Sequence, residues 1–137
     1  MKTINLFLVL ILLFSCSKNK VNNRRLPGSW TIDMVRIEDG EGFLFYDYVP
    51  SGWFLIDGSL INGKANYTYS YFGQYWVSDS VNFNQAQCSL SADGEVLSIA
   101  RLTDTLQAKI IMLTKHQLTF EYYDYLQYRL KRFSCSR

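Results

Sequence analysis

The sequence has little of the residue types on which catalysis and metal binding depend. Its 137 residues include one histidine, three cysteines and two prolines. One histidine without a C-x-x-C pair does not supply the ligands of a zinc site. No G-x-S-x-G, Walker or dinucleotide-binding motif occurs. The one histidine, His116, falls between two predicted strands, where a solvated turn residue is expected. We therefore predict no enzyme, no metal site and no cofactor.

Charge is also scarce. Charged residues make up 19% of the chain, and the formal net charge is +2. A nearly neutral chain gives no electrostatic reason to expect nucleic acid as a partner. Hydrophobic residues reach 48% and aromatic residues 16%. This composition and length are typical of one globular domain that can bury a core.

An unbroken apolar run lies near the N-terminus, where Leu6–Phe14 follows the positive charge of Lys2. A membrane-spanning helix needs about 20 apolar residues, so this run is too short to cross a bilayer. Its length and position predict an export signal over residues 1–15.

The signal ends in the stretch LLFSCSKNK, in which Ser15 directly precedes Cys16 and Leu13 lies just upstream. This pattern resembles the lipobox of bacterial lipoproteins. The resemblance implies that Cys16 carries a diacylglyceryl group, and that the chain is cut before it and acylated there, for example with palmitate. Two or more acyl chains anchor a protein stably. The alternative is an ordinary export signal followed by a chance cysteine.

Residues 16–25 are polar and carry positive charges without a negative one. We predict a flexible tether that holds the domain away from the bilayer. Its charges could bind anionic headgroups or could simply be solvated. Ser17 rather than Asp follows Cys16, and by resemblance to enteric lipoproteins this implies the outer membrane.

From Trp30 onward, short apolar runs alternate with turn signals such as Asp57-Gly58, Asn62-Gly63 and Asp93-Gly94. Asn-Gly and Asp-Gly pairs accept positive φ and favour hairpins. We predict about eight to ten strands, which is typical of an antiparallel barrel or sandwich. No substantial helix is expected after the signal peptide.

The last two predicted strands, Leu118–Tyr123 and Leu126–Phe133, show the clearest alternation of apolar and polar residues. Their apolar residues are expected to face the interior. This register puts Arg129 and Lys131 on the outer surface, and a slip of one residue would bring both inside.

Three stretches in this order resemble the small lipocalin-like lipoproteins of Gram-negative bacteria. They are LPGSWTI at Leu26–Ile32, WFLIDGS at Trp53–Ser59 and IIMLTKHQLTFEY at Ile110–Tyr122. The resemblance covers residues 26–133 and implies an up-and-down, lipocalin-like β-barrel, followed by a tail over residues 134–137. It also implies a base motif, in which Gly28 lets the chain turn, Trp30 plugs the closed end and Arg132 stacks on the indole ring.

A tyrosine stripe and two tryptophans are the candidate ligand-pocket residues. Tyr67, Tyr69 and Tyr71 recur at period two, so a strand places them on one face. Facing inward, they would line a pocket for an amphipathic ligand, and facing outward they would offer a surface to sugar or protein. Cross-strand packing alone is the third possibility. The same three interpretations apply to Trp53 and Trp76.

Cys88 and Cys135 remain once Cys16 is assigned to lipid. Two cysteines in an exported chain can form a disulfide, which here would tie the C-terminal end to the sheet. The alternative is a pair of reduced thiols.

Two functions follow as expectations. In the first, a lipid-anchored barrel in the bacterial cell envelope holds a small hydrophobic or amphipathic ligand without catalysis. In the second, the barrel is packed solid, as small barrels often are, and acts as an envelope-accessory protein. It would then contact partners through loops such as Ile37–Gly42 and Phe72–Trp76. Both functions expect membrane lipid as a partner and an outer-membrane location.

Overall fold

The computed structural model describes residues 19–41, 43–47, 50–71 and 75–137. The expected signal peptide, Cys16 and parts of both expected contact loops therefore lie outside the described residues. Most of the described chain is strand, and residues 19–25 are helical. The strands are β1 Gly28–Asp39, β2 Leu44–Asp47, β3 Ser51–Asp57, β4 Leu60–Tyr71, β5 Tyr75–Leu90, β6 Val96–Ala100, β7 Thr105–Leu113, β8 Gln117–Asp124 and β9 Arg129–Ser136.

The strands form one antiparallel sheet that closes on itself. One edge of β1 pairs with β9, while its other edge pairs with β3 near the start of β1 and with β2 near its end. β2 and β3 therefore share a single position in the wall. The remaining strands pair in chain order from β3 to β9. The result is an eight-stranded, up-and-down barrel, so the predicted all-β antiparallel barrel is confirmed.

Not every predicted turn dipeptide forms a hairpin turn in the structure. Asp57-Gly58 precedes β4, as predicted, and Gly58 has a φ of +60°. Asn62-Gly63 does not form a turn, because β4 runs straight through it. A Cβ atom at Gly63 would lie 2.1 Å from the carbonyl oxygen of Trp53. Glycine is therefore needed there for the close approach of two strands rather than for a hairpin.

An irregularity in β1 changes which of its residues face inward. Trp30 and Ile32 are buried, and simple alternation would put Met34 beside them, but Met34 does not follow them into the core. The pairing of β1 with β9 shifts between Ile32 and Met34, and from that point Val35 and Ile37 are the buried residues. One extra residue on a strand offsets the alternation of its side chains in this way.

The last strand has the opposite register from the one we predicted. β9 begins at Arg129, after a turn over residues 125–128. Tyr128 has a positive φ and belongs to the turn, so it does not point into the barrel. Lys131, Phe133 and Cys135 face the interior instead.

Two segments that we expected to be loose are ordered by contacts. The expected tether is helical over residues 19–25, and the buried Asn22 donates to the carbonyl oxygen of Gly94 at 2.7 Å. The expected tail continues β9 as far as Ser136, whose hydroxyl donates to Asp33. Side-chain hydrogen bonds to distant residues order both segments, and no local sequence signal indicates such bonds.

The barrel has two distinct ends. The base is formed by the helical segment 19–25, by Gly28 and by the turns over residues 91–95 and 114–116. The loop end is formed by the turns over residues 101–104 and 125–128, together with the adjoining ends of β4 and β5. The N-terminal segment of the domain therefore enters the barrel at its base.

Candidate functional site

Trp30 closes the base, and its side chain is fully buried. Its indole Nε1 donates to the carbonyl oxygen of Leu26 at 2.9 Å. The guanidinium of Arg137 covers the indole ring, with Cζ 4.0 Å from the ring centroid. Gly28 has a φ of +129°, and a Cβ atom there would lie 2.5 Å from Nη1 of Arg137. The positive φ therefore favours glycine at this position, and a larger residue would also displace the guanidinium of Arg137.

Arg132 does not stack on Trp30, so this part of the expected base motif is corrected. Its guanidinium donates to Oε2 of Glu121, with Nε at 2.8 Å. Arg137 occupies the expected place instead and donates to backbone carbonyl oxygens of the N-terminal segment and of the β7–β8 turn. The prediction failed because β9 extends past residue 133 and carries Arg137 to the base.

The candidate pocket residues do not form one site. Tyr67 and Tyr69 point into the barrel and are buried. Trp53 and Trp76 lie on the outer surface and are 43% and 74% exposed. The side chain of Tyr71 lies outside the described residues. The structure therefore brings only the two buried tyrosines into the interior.

A buried polar cluster lies inside the loop end, and we call it the Lys131 cluster. It consists of Tyr67, Asp79, Tyr122, Asp124 and Lys131. Lys131 is 2% exposed, and its Nζ lies 2.8 Å from Oδ2 of Asp79 and 2.8 Å from Oδ2 of Asp124. The Tyr67 hydroxyl donates to the same Oδ2 of Asp79 at 2.8 Å. Because its members come from β4, β5, β8 and β9, the cluster links strands across the barrel.

Burial and pairing together set the protonation of the cluster. Burial would raise the pKa of Asp79, but hydrogen bonds from Lys131 and Tyr67 outweigh it and hold that pKa below its usual value. Burial would also raise the pKa of Asp124, but the hydrogen bond from Lys131 outweighs this effect and the pKa is lowered. Burial is the main cause that raises the pKa of Tyr67 and Tyr122. Both hydroxyls therefore stay protonated, and both carboxyls stay ionised at neutral pH.

The chemistry of the cluster favours a structural role. The Tyr122 ring stacks on Phe133, with centroids 6.0 Å apart. The Tyr122 hydroxyl is buried, and no described residue accepts or donates a hydrogen bond there. The ammonium group is already bound by two carboxylates, so it is not available as a nucleophile. The cluster instead holds β5, which carries Asp79, against β8 and β9.

Exposed apolar side chains gather at the loop end. Leu102, Tyr125, Leu126 and Tyr128 lie in its two turns and are each 70% or more exposed. We call these four residues the loop-end patch. A pocket of about 620 Å³ lies between the two turns, with Arg101 in its wall. Single exposed apolar residues are common, but a group at one end of a molecule indicates a contact surface. Sequence analysis missed this patch because it put Leu126 and Tyr128 inside the barrel.

Cys88 and Cys135 are both free and buried, so the structure contains no bridge between them. Cys88 lies opposite Ile99 on β6, and Cys135 lies opposite Leu118 on β8. Burial raises the pKa of the Cys88 thiol and raises that of Cys135 to about 12. Both thiols are therefore protonated and poorly reactive at neutral pH.

His116 is exposed in the turn between β7 and β8, which is where a solvated residue was expected. Within the described ranges, no group of three or more histidine, cysteine or carboxylate residues is placed to hold a metal ion. The helical part of the described chain includes no segment that is long and apolar enough to span a bilayer.

Comparison with known proteins does not assign a family. No protein-family model matches the chain, and no curated protein matches it. Among solved structures, the chain is similar to a redesigned β-barrel, with 15% identical residues and a TM-score of 0.38. The alignment covers 84% of this chain and 93% of that one. A likeness at this level carries no argument about function.

Proposed function

We propose that this protein is a lipid-anchored accessory protein of the bacterial cell envelope, and that its solid barrel contacts other proteins without catalysis. The observation that carries this choice is the filled interior. The Phe54 ring lies 5.6 Å from Phe83, 5.7 Å from Phe120 and 5.8 Å from Phe133, measured between centroids. Around Phe54, side chains of the described strands therefore fill the space that a ligand chamber would need, as is common in small barrels.

The Lys131 cluster adds a second argument against an interior ligand. A hydrophobic molecule that entered from the loop end would have to separate Lys131 from Asp79 and Asp124. Removing one partner of a buried ion pair costs about 3–5 kcal/mol.

The loop-end patch is the surface that we expect to meet a partner. If Cys16 carries the lipid, we expect the base, which contains the helical segment 19–25, to face the bilayer. The loop end then faces away from the bilayer. Exposed tyrosine and leucine side chains bury apolar area on contact, and tyrosine is enriched in protein interfaces.

A second candidate function is the binding of a small amphipathic ligand in the loop-end pocket. Its volume of about 620 Å³ falls within the range of small-molecule sites. The rings of Tyr123 and Tyr125 lie 4.9 Å apart at its edge. The guanidinium of Arg101 is paired with Asp104 beside them. This arrangement combines aromatic surface with polar groups, and it lies outside the barrel rather than within it.

Anchoring is tested with a Cys16→Ser variant expressed in the source bacterium. We expect the variant to leave the membrane fraction, because it lacks the thiol that takes the lipid. A variant that stays with the membranes would contradict the proposed anchor.

Contact with a partner is tested by placing a photo-reactive amino acid at Tyr125 or Leu126 in cells. We expect a cross-link to one defined protein from these two positions, and none from the control position Lys115 at the base. Native mass spectrometry of the protein purified from its own membrane separates the two functions. A co-purifying small molecule, without a protein cross-link, would favour the second candidate and contradict the first.

A further inference from the structure

The barrel wall has an unpaired edge along β5. β4 pairs with β5 from Tyr75 to Gln87, whereas β6 pairs only with Gln87–Leu90. Among the described strands, none pairs with the other side of residues 76–86. The β4–β5 hairpin therefore extends beyond the end of β6 toward the loop end, and there the outer side of the β5 backbone is unpaired.

Backbone hydrogen bonding shows which β5 residues face this edge. In an antiparallel pair, alternate residues direct both N–H and C=O to the same neighbouring strand. The Thr68 N–H points away from β5, because it donates to Oδ2 of Asp47 on β2 at 2.7 Å. Tyr67 therefore faces β5, and its partner Asp79 faces back toward β4. The even-numbered residues from 76 to 82 consequently face the open edge.

Only one of these edge-facing N–H groups has a partner in the described part of the chain. Ser80 donates its N–H to Oδ1 of Asp79 at 2.7 Å, which agrees with its outward direction. No described residue accepts the N–H of Trp76, Ser78 or Asn82. Oδ2 of Asp79 is at the same time bound by Lys131, so the Lys131 cluster holds the middle of this edge in place.

A groove of about 590 Å³ continues along the edge, between residues 82–87 of β5 and residues 100–103. Amide side chains dominate the β5 wall. Arg101 is the ionisable residue of the groove, and Asp104 already neutralises it. Leu102 stands fully exposed on the opposite rim. The groove is therefore close to neutral, with one apolar side chain at its border.

We propose that this edge accepts an extended segment of a partner protein, which adds a strand beside residues 76–84 of β5. An extended chain is the occupant that matches an open strand edge, because it supplies N–H and C=O groups at the same spacing. The neutral groove fits a segment of hydroxyl, amide and apolar side chains rather than a charged one. An apolar side chain of that segment packs on Leu102.

A second copy of this chain is the main alternative occupant. Antiparallel pairing of two β5 edges would turn the copies so that their bases pointed in opposite directions. Two copies anchored at their bases in one bilayer cannot pair in that way. The choice of a partner protein over a second copy therefore rests on the proposed lipid anchor. The observation that the β5 edge is unpaired does not depend on the anchor.

The test measures amide hydrogen exchange of the full chain in detergent micelles. The probe is a ten-residue synthetic peptide of alternating threonine and valine with a lysine at each end. Strand addition is expected to slow the exchange of the Trp76, Ser78 and Asn82 amides by about tenfold or more, because hydrogen-bonded amides exchange only after opening. A fully N-methylated peptide of the same sequence cannot donate to the β5 carbonyl oxygens, and its methyl groups keep the two strands too far apart to pair. It should therefore leave these amides unchanged.

Matched variants at Asn82 distinguish the contribution of the backbone N–H to peptide binding from that of the side chain. Asn82→Pro removes an edge-facing N–H without removing a bond to β4, and we expect it to weaken peptide binding about tenfold or more. Asn82→Ala changes the side chain alone and should bind as the wild type does. Circular dichroism checks that the proline variant is folded, and Ser78→Pro replaces it if it is not.

Several outcomes would overturn the proposal. The exchange rates of these amides could stay unchanged with the probe, or the methylated peptide could slow them equally. Slowing that appears without peptide and grows with protein concentration would mean that two copies pair. None of these measurements depends on Cys16, so membrane release of the Cys16→Ser variant still tests the anchor independently.

Discussion

Lys131 and Arg137 are cations at opposite ends of β9, and each lies near an aromatic ring. The Nζ of Lys131 is 5.8 Å from the centroid of Tyr67, and the Cζ of Arg137 is 4.0 Å from that of Trp30. Lys131 is enclosed with two carboxylates, whereas Arg137 lies on the exposed surface of the base. We therefore expect burial, more than the number of contacts, to set the cost of losing each charge. Water can replace the partners of Arg137, whereas it has little access to the Lys131 side chain, which is 2% exposed.

The largest effect is expected for Lys131→Met. This change leaves the carboxylates of Asp79 and Asp124, which are 15% and 17% exposed, without their cation. We expect the free energy of unfolding in urea to fall by about 3–5 kcal/mol, which is typical of a broken buried ion pair. Lys109→Met on the exposed face of β7 is the matched control, and it should change stability by less than about 0.5 kcal/mol.

A triple variant, Lys131→Met with Asp79→Asn and Asp124→Asn, checks the reason for that loss. It removes all three charges, and we expect it to recover most of the stability. If the triple variant were as unstable as Lys131→Met alone, unpaired charge would not be the cause.

A smaller effect is expected for Arg137→Ala at the base. The variant loses a cation–π contact and hydrogen bonds to backbone carbonyl oxygens, but water can solvate those oxygens. We expect a loss of about 1–2 kcal/mol in urea unfolding. Arg132→Ala is the control, because it removes only a partly exposed ion pair with Glu121 and should cost about 1 kcal/mol or less. A larger loss for Arg132→Ala than for Arg137→Ala would contradict the assignment of the base.

Acid should act on the loop end and not on the base. The pKa values of Asp79 and Asp124 are lower in the folded chain than their ordinary value of 3.8. The unfolded chain therefore binds protons at a higher pH than the folded chain does. The stability from these carboxylates is complete above the unfolded pKa and is lost as the pH falls below about 4, toward the folded values.

The measurement is the urea midpoint of the wild type and of the triple variant between pH 7 and pH 3. We expect a flatter pH dependence in the triple variant, because it lacks the two carboxyls with lowered pKa. Equal slopes below pH 5 would show that other acidic groups control the acid response.

The smallest effect concerns Cys88 and Cys135, and it tests whether anything but Arg137 fastens the end of β9. Burial raises the pKa of both thiols, so we expect slow alkylation in the folded protein. In urea without reductant, mass spectrometry should find both residues alkylated. If neither residue were modified until a reductant was added, a disulfide would hold the base, and the effect of Arg137→Ala would shrink.

β8 shows how much of the fold the sequence predicts. Leu118, Phe120 and Tyr122 alternate with more polar residues, and all three are buried as predicted. Alternation predicts the buried face of β8 correctly because the strand is regular and begins directly after a turn. Phe54 and Ile56 of β3 alternate with exposed residues in the same way, and both are in the core.

The candidate site was predicted much less well. Alternation over Leu126–Phe133 predicted the wrong inward-facing residues of the last strand. Residues 125–128 form a turn, and β9 begins only at Arg129. A lysine is normally kept outside, so nothing in the local sequence suggests that Lys131 is inside. Its partner Asp79 is distant along the chain, and only the closed barrel brings the two together.

The sequence by itself determined that this chain forms an antiparallel barrel or sandwich, because alternating apolar residues and short turns leave few other ways to bury a core. The tertiary structure alone decided that Lys131 lies inside, that Arg137 rather than Arg132 covers Trp30, and that β5 keeps an open edge. Each of these features depends on the register between strands that are far apart in the chain. Register follows from closure of the whole barrel, whereas periodicity is a property of one strand at a time.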